Sequence, residues 1–214
     1  MAILKVAQVG HPVLRMQSQE LTAEQLASPK VQQFMDDLLD TMAEYDGAGL
    51  AAPQVHTPLR IVVLSLTDER GPEFFVNPVI TVLSDTTRRT WEGCLSVEGM
   101  RGLVERPDHV RVDALDRDGT PKTLEVQGFG AVVLQHECDH LDGVLYVDRI
   151  LPRSLVTLRE FRRWGPPDEF AGMEADVDDE GEFDDDLEEL DEESDEESDP
   201  DSDTYDDDAI EAEV

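Results

Sequence analysis

Cysteine is scarce in this 214-residue chain, which has only Cys94 and Cys138. That excludes a disulfide framework and leaves each thiol to chemistry or to packing. Long hydrophobic runs are also missing: stretches such as Ile61-Val62-Val63-Leu64 fall far short of the roughly 20 residues that a membrane span requires. No signal-peptide pattern opens the sequence, so a reducing, cytoplasmic setting away from membranes is expected. Positive charge is absent from Asp168 onward, where 27 of the 51 acidic residues lie without one Lys or Arg. The 24 acids before that point face all 17 bases, so the body carries −7 of the formal −34, an ordinary value for a soluble domain. Aromatics are almost lacking there too. Such a composition buries too little apolar surface to offset the entropy of ordering. A domain over residues 1–165 and a disordered acidic tail over 166–214 are therefore expected. The tail reads as a solubilising segment, or as an arm for a basic protein or for Arg159, Arg162 and Arg163.

Within the body, Ser28-Pro29 is an N-cap followed by proline in the first helical turn. Val31, Phe34, Met35, Leu38, Leu39 and Met42 then recur at three- and four-residue spacing, which predicts an amphipathic helix ending near Gly47. Short strands are expected over 60–66, 74–76, 79–83 and 87–91. A hairpin is expected over 110–126 around Asp118-Gly119. Arg101 and Arg106 fall in a predicted loop. A central helix should run from Phe129 to Leu141 with Gly143 stopping it. An extended segment over 144–150 and a last helix from Pro152 to Trp164 follow, the latter with Leu155, Leu158, Phe161 and Trp164 on one face. Strands and helices are grouped and do not alternate strictly. The pattern predicts an α+β fold with antiparallel strands packed around the central helix.

The chemistry concentrates on that helix, in Gln135-His136-Glu137-Cys138-Asp139-His140. Histidines four apart share a helix face, so both can reach one metal ion while Glu137 stands beside it. A catalytic metal of this kind takes three protein ligands and one open position, which leaves one ligand to find. Cys94, in the glycine-containing turn Glu92-Gly93-Cys94-Leu95-Ser96, can supply it as a thiolate. Cys138 lies about 200° around the helix from His136 and reads as a core residue. A Cys94 nucleophile with a histidine base is the competing reading, but it leaves the second histidine and Glu137 without roles. The stretch Gly47-Ala48-Gly49-Leu50-Ala51-Ala52-Pro53-Gln54 makes a poor phosphate loop, since no Lys-Ser/Thr pair follows. It is either a tight connection or a place where small side chains let a ligand backbone come close.

Together and in order, these three stretches resemble the signature motifs of the peptide deformylases. The resemblance extends over roughly residues 3–160 and includes the Gly-His-Pro-Val-Leu-Arg opening and the Asp-Arg-Asp-Gly hairpin. It implies hydrolysis of the formyl group from N-formylmethionyl nascent peptides, as N-terminal processing in protein biosynthesis. It implies one divalent metal ion, Fe2+ first and Zn2+, Ni2+ or Co2+ as substitutes, held by Cys94, His136 and His140. Glu137 becomes the general acid/base, and the Gln54 amide and the Leu95 N–H polarise the formyl oxygen. Gly49 and Arg101 map to the substrate peptide, and Glu92 and Asp139 to partners that orient the ligands or a nearby arginine. The ribosome is an implied partner through a basic C-terminal helix, although the acidic tail should oppose its approach to RNA. The His-Glu-x-x-His motif alone would also fit a zinc endopeptidase, which Cys94 and the Gly49–Gln54 stretch argue against.

Overall fold

Ile61-Val62-Val63-Leu64 is apolar at every position because helices cover both faces of the strand it forms, β2 (Ile61–Leu64). The computed structural model describes residues 2–65 and 71–173. On one side of β2, Ile61 and Val63 meet Met35, Leu38 and Met42. These belong to helix α2 (Pro29–Glu44), which follows the short α1 (Ala23–Leu26) and is capped by Ser28. On the other side, Val62 and Leu64 meet Ala131, Leu134, Cys138 and Leu141 of α3 (Phe129–Leu141). Cys138 is therefore the core residue its position predicted, and burial pushes its thiol pKa up.

Strand β2 belongs to a five-stranded antiparallel sheet with β1 (Gly49–Ala51), β3 (Glu73–Val82), β6 (His109–Leu115) and β7 (Pro121–Gln127), in the order β1-β2-β3-β6-β7. The expected segments 74–76 and 79–83 are one strand, β3, with a register shift between Val76 and Val79 opposite β6. A second sheet, ordered β4-β5-β8, consists of β4 (Thr87–Cys94), β5 (Val97–Pro107) and β8 (Val156–Thr157). The α+β expectation holds. No helix among the described residues is long and apolar enough to cross a membrane.

Three local expectations need correction. Arg101 and Arg106 lie on β5 and not in a loop: Arg101 pairs with Val156, and Arg106 with Arg88. The expected extended segment over 144–150 contains a 3₁₀ turn, Tyr146–Asp148. The last helix, α4, covers only Leu158–Trp164, starting at the Thr157 cap. Residues before it are held to β5 instead, through Leu151 N–H to the Leu103 carbonyl, Leu103 N–H to Ser154 Oγ, and β8. As a result Leu155 and Trp164 are exposed, while Phe161 is buried.

Packed residues also continue past the expected boundary at 165. A 3₁₀ turn at Asp168–Phe170 buries Phe170 among Trp91, Leu103 and Phe161. The expectation of disorder falls on residues 174–214 otherwise, and these lie outside the described residues.

Candidate metal centre

Helix α3 supplies two imidazoles from one face, with the ring centroids of His136 and His140 5.1 Å apart. The helix ends where Gly143 takes a positive φ against the Arg15 backbone; a Cβ there would stand 2.8 Å from the Arg15 carbonyl carbon. Strand β4 brings the third group. Its turn into β5 places Cys94 Sγ 3.3 Å from His140 Nε2, and the donor atoms of Cys94, His136 and His140 lie within 4.8 Å of one another. One thiolate and two imidazoles at such separations suit a tetrahedral metal with bonds of about 2.0–2.3 Å, so the residues present fit a divalent ion.

The second layer of charge fixes the donors. His136 Nδ1 is 2.8 Å from Glu92 Oε2, and Arg106 grips the same carboxylate through Nε at 2.6 Å and Nη2 at 3.0 Å. Arg106 also reaches Asp139 at 2.8 Å, and Asp139 takes two further bonds from Arg149 at 2.7 Å. Burial alone would raise the Glu92 pKa, but His136 and Arg106 outweigh it and hold the group at about 2. An ionised Glu92 accepts the proton of His136 Nδ1, which leaves Nε2 with a lone pair for a metal. Burial also works against charge on His136, yet its bonds to Cys94 and Glu92 raise its pKa. His140 goes the other way: burial and the neighbouring His136 lower its pKa.

Glu137 is 5% exposed, its Oε2 has no hydrogen-bond partner among the described residues, and burial pushes its pKa up to about 7. A Cβ on Gly49 would lie 2.8 Å from Glu137 Cγ and Oε1 and 2.7 Å from Leu64 Cδ2. The missing side chain at 49 thus makes room for Glu137, besides any room it leaves for a ligand. Gln54 follows β1 in a buried 3₁₀ turn, where Ala51 N–H donates to its Oε1 at 2.8 Å. That bond orients the amide, so Nε2 faces Cys94 Sγ at 3.5 Å and Ser96 Oγ at 3.3 Å. Leu95 occupies the β4–β5 turn beside Gly47. Arg101 lies across Gly93, where a Cβ would collide with its guanidinium.

All ten residues given a role in the sequence thus fall on α3, β1 with its following turn, or the β4–β5 hairpin. Sequence reasoning missed Arg106 as the clamp on Glu92, because the pairing that makes β5 a strand is not local. It also missed Ser96, and Tyr146, whose ring stacks on His136 at 6.1 Å and 20°. The Glu92-Gly93-Cys94-Leu95-Ser96 stretch contained Ser96, and the hydroxyl beside a candidate ligand was the signal available.

Known proteins resemble this chain in sequence and in fold. A sequence model of the polypeptide deformylase family matches residues 3–155. A peptide deformylase from Leptospira biflexa is 40% identical over 169 residues, covering 75% of this chain and 94% of that protein. One from Stutzerimonas stutzeri is 44% identical over 149 residues, covering 69% and 87%. Among solved structures, the Met-Ala-Ser-bound class I type b peptide deformylase from Acinetobacter baumannii aligns with a TM-score of 0.66 at 36% identity, covering 70% of this chain and 99% of that one.

Proposed function

Because the chain belongs to the peptide deformylase family, which removes N-formyl groups from nascent proteins, we propose that Cys94, His136 and His140 hold its metal while Glu137 moves the proton. The chain is a hydrolase of formyl-methionyl nascent peptides and serves protein biosynthesis. The observation that carries the site assignment is the Cys94, His136 and His140 donor set converging within 4.8 Å, with buried Glu137 next to it in sequence.

A divalent metal, in our reading Fe2+ with Zn2+, Ni2+ or Co2+ as substitutes, supplies Lewis acidity there and brings the pKa of water down towards neutrality. Glu137, whose pKa of about 7 suits transfer in either direction, takes a proton from the attacking water. Water oxygen bonds to the formyl carbon. Glu137 then gives the proton to the amine nitrogen as the C–N bond breaks and formate leaves. Gln54 Nε2 and the Leu95 N–H donate to the oxygen that gains charge, each contributing about 2.7–4 kcal/mol to the barrier difference. β1 and β4 are edge strands of their sheets, and an extended peptide can add to such edges through its backbone. Gly49 of β1, and Arg101, whose guanidinium lies against Gly93 of β4, are the residues we assign to that peptide.

Protein purified without oxygen, loaded with iron and given an N-formylmethionyl tripeptide should release formate. Absence of formate would overturn the reading, and cleavage of internal peptide bonds would favour an endopeptidase. In the same reading the enzyme is cytoplasmic and docks on the ribosome through Arg159, Arg162 and Arg163 of α4, whose side chains are exposed. The acidic residues beyond Met173 weaken that docking by repelling RNA, or engage a basic protein. Ending the chain at Met173 should raise ribosome affinity; unchanged affinity would remove this role.

A further inference from the structure

Ser96 has no part in the mechanism above, yet it is 0% exposed, and its N–H, its carbonyl and its hydroxyl oxygen are each engaged. Its Oγ accepts from Gln54 Nε2 at 3.3 Å, and its N–H donates to Cys94 Sγ at 3.4 Å. Its carbonyl accepts from the Val9 N–H at 2.7 Å. The same N-terminal segment pins the other side of the contact, since the Ala7 N–H donates to the Gln54 carbonyl at 2.7 Å. Between them, Gln8 Nε2 donates to the Leu95 carbonyl at 2.9 Å. Three consecutive residues therefore fix the backbones of Gln54, Leu95 and Ser96 relative to one another. The Ser96 hydroxyl bridges two anchored segments.

The Gln54 amide has two ends to hold. Ala51 N–H holds the oxygen, and Ser96 Oγ holds one hydrogen of the nitrogen. Nε2 also donates a long bond to Cys94 Sγ at 3.5 Å, and a thiolate attracts a donor more strongly than a neutral hydroxyl does. Without Oγ, the amide can turn further towards the sulfur, shorten that bond and give up the direction in which an N–H can meet the formyl oxygen. We propose that Ser96 is a positioning residue whose hydroxyl keeps the Gln54 amide aimed at the formyl oxygen and stops its long contact with Cys94 Sγ from tightening. This rests on Gln54 being the donor to that oxygen.

The test is a double-mutant cycle on the metal-loaded full chain: Ser96→Ala, Gln54→Ala and both together. Ser96→Ala should lower kcat about tenfold, the scale of one hydrogen bond, with KM little changed. In the Gln54→Ala background the same substitution should cost nothing further, because coupled residues are not additive. Independently of turnover, the Gln54 side-chain amide resonances of the zinc-loaded protein should shift and broaden in Ser96→Ala, with the unfolding midpoint retained. Ser96→Cys keeps the volume, weakens the acceptor, and should move both readouts the same way should Ser96→Ala fold poorly. Additive losses, or an unmoved Gln54 resonance, would overturn the role of Ser96. Wild-type kcat in Gln54→Ala would instead overturn the donor assignment on which it stands.

Discussion

Glu137 and Glu92 are both buried carboxyls near the same imidazoles, and their surroundings drive them in opposite directions. Burial outweighs the charges of His136 and Arg106 and leaves Glu137 near 7, whereas direct bonds from His136 and Arg106 hold Glu92 near 2. One is suited to exchange a proton, the other to stay charged and orient a ligand. Glu137→Gln should therefore retain stoichiometric metal by elemental analysis while kcat falls by about 10²–10⁴; a rate close to wild type would assign the proton transfer elsewhere. Arg106→Ala should leave the buried Glu92 charge without its guanidinium partner, with only His136 beside it, and cost about 3–5 kcal/mol in chemical denaturation. The motif residues were legible because helix periodicity and donor chemistry act over a few positions. Arg106 was not, since its meaning depends on a partner 14 residues away across a strand pair.

At the scale of elements, α2 and α3 were readable with their caps because an N-cap serine, a following proline and a terminal glycine act locally. β5 was not, because Val97–Pro107 carries Gly99 and Gly102 and lacks clean alternation; pairing with β4 and β8 makes it a strand. The start of α4 had a local signal that the Pro152 reading overrode: Thr157, with Glu160 three residues on, caps the helix by accepting from the Glu160 N–H. The β4–β5 hairpin also yields a test. Gly93 sits at a register shift between Glu92 and Cys94, with Arg101 lying across it. Gly93→Ala should displace the flexible Arg101 guanidinium and leave the fold intact. If Arg101 contacts the substrate peptide, KM should rise several-fold while the unfolding midpoint stays put. An unchanged KM would place Arg101 outside the substrate path.

Across the whole molecule, the sheet that carries the metal site is covered on both faces, and its two covers come from different parts of the chain. Consecutive strand residues point to opposite faces, so Glu92 meets His136 and Arg106 while Trp91 meets the other side. There Trp91 packs against Phe161 at 4.8 Å and Phe170 at 6.1 Å, with Leu103 completing the cluster. Both phenylalanines lie beyond residues 3–155, the stretch that the family model matches. Composition pointed to a boundary at 165, because one phenylalanine among acids has little weight in a window average; packing gives it weight. Phe170→Ala should cost up to about 3–5 kcal/mol, lowering the unfolding midpoint by roughly 2–4 °C for each kcal/mol in a domain of this size. A chain ending at Gly165 should unfold at a lower temperature than one ending at Met173, with Trp91 emission shifted to the red as its ring meets water. Equal midpoints would mean that Phe161 alone covers this face, and the domain would then end where composition placed it.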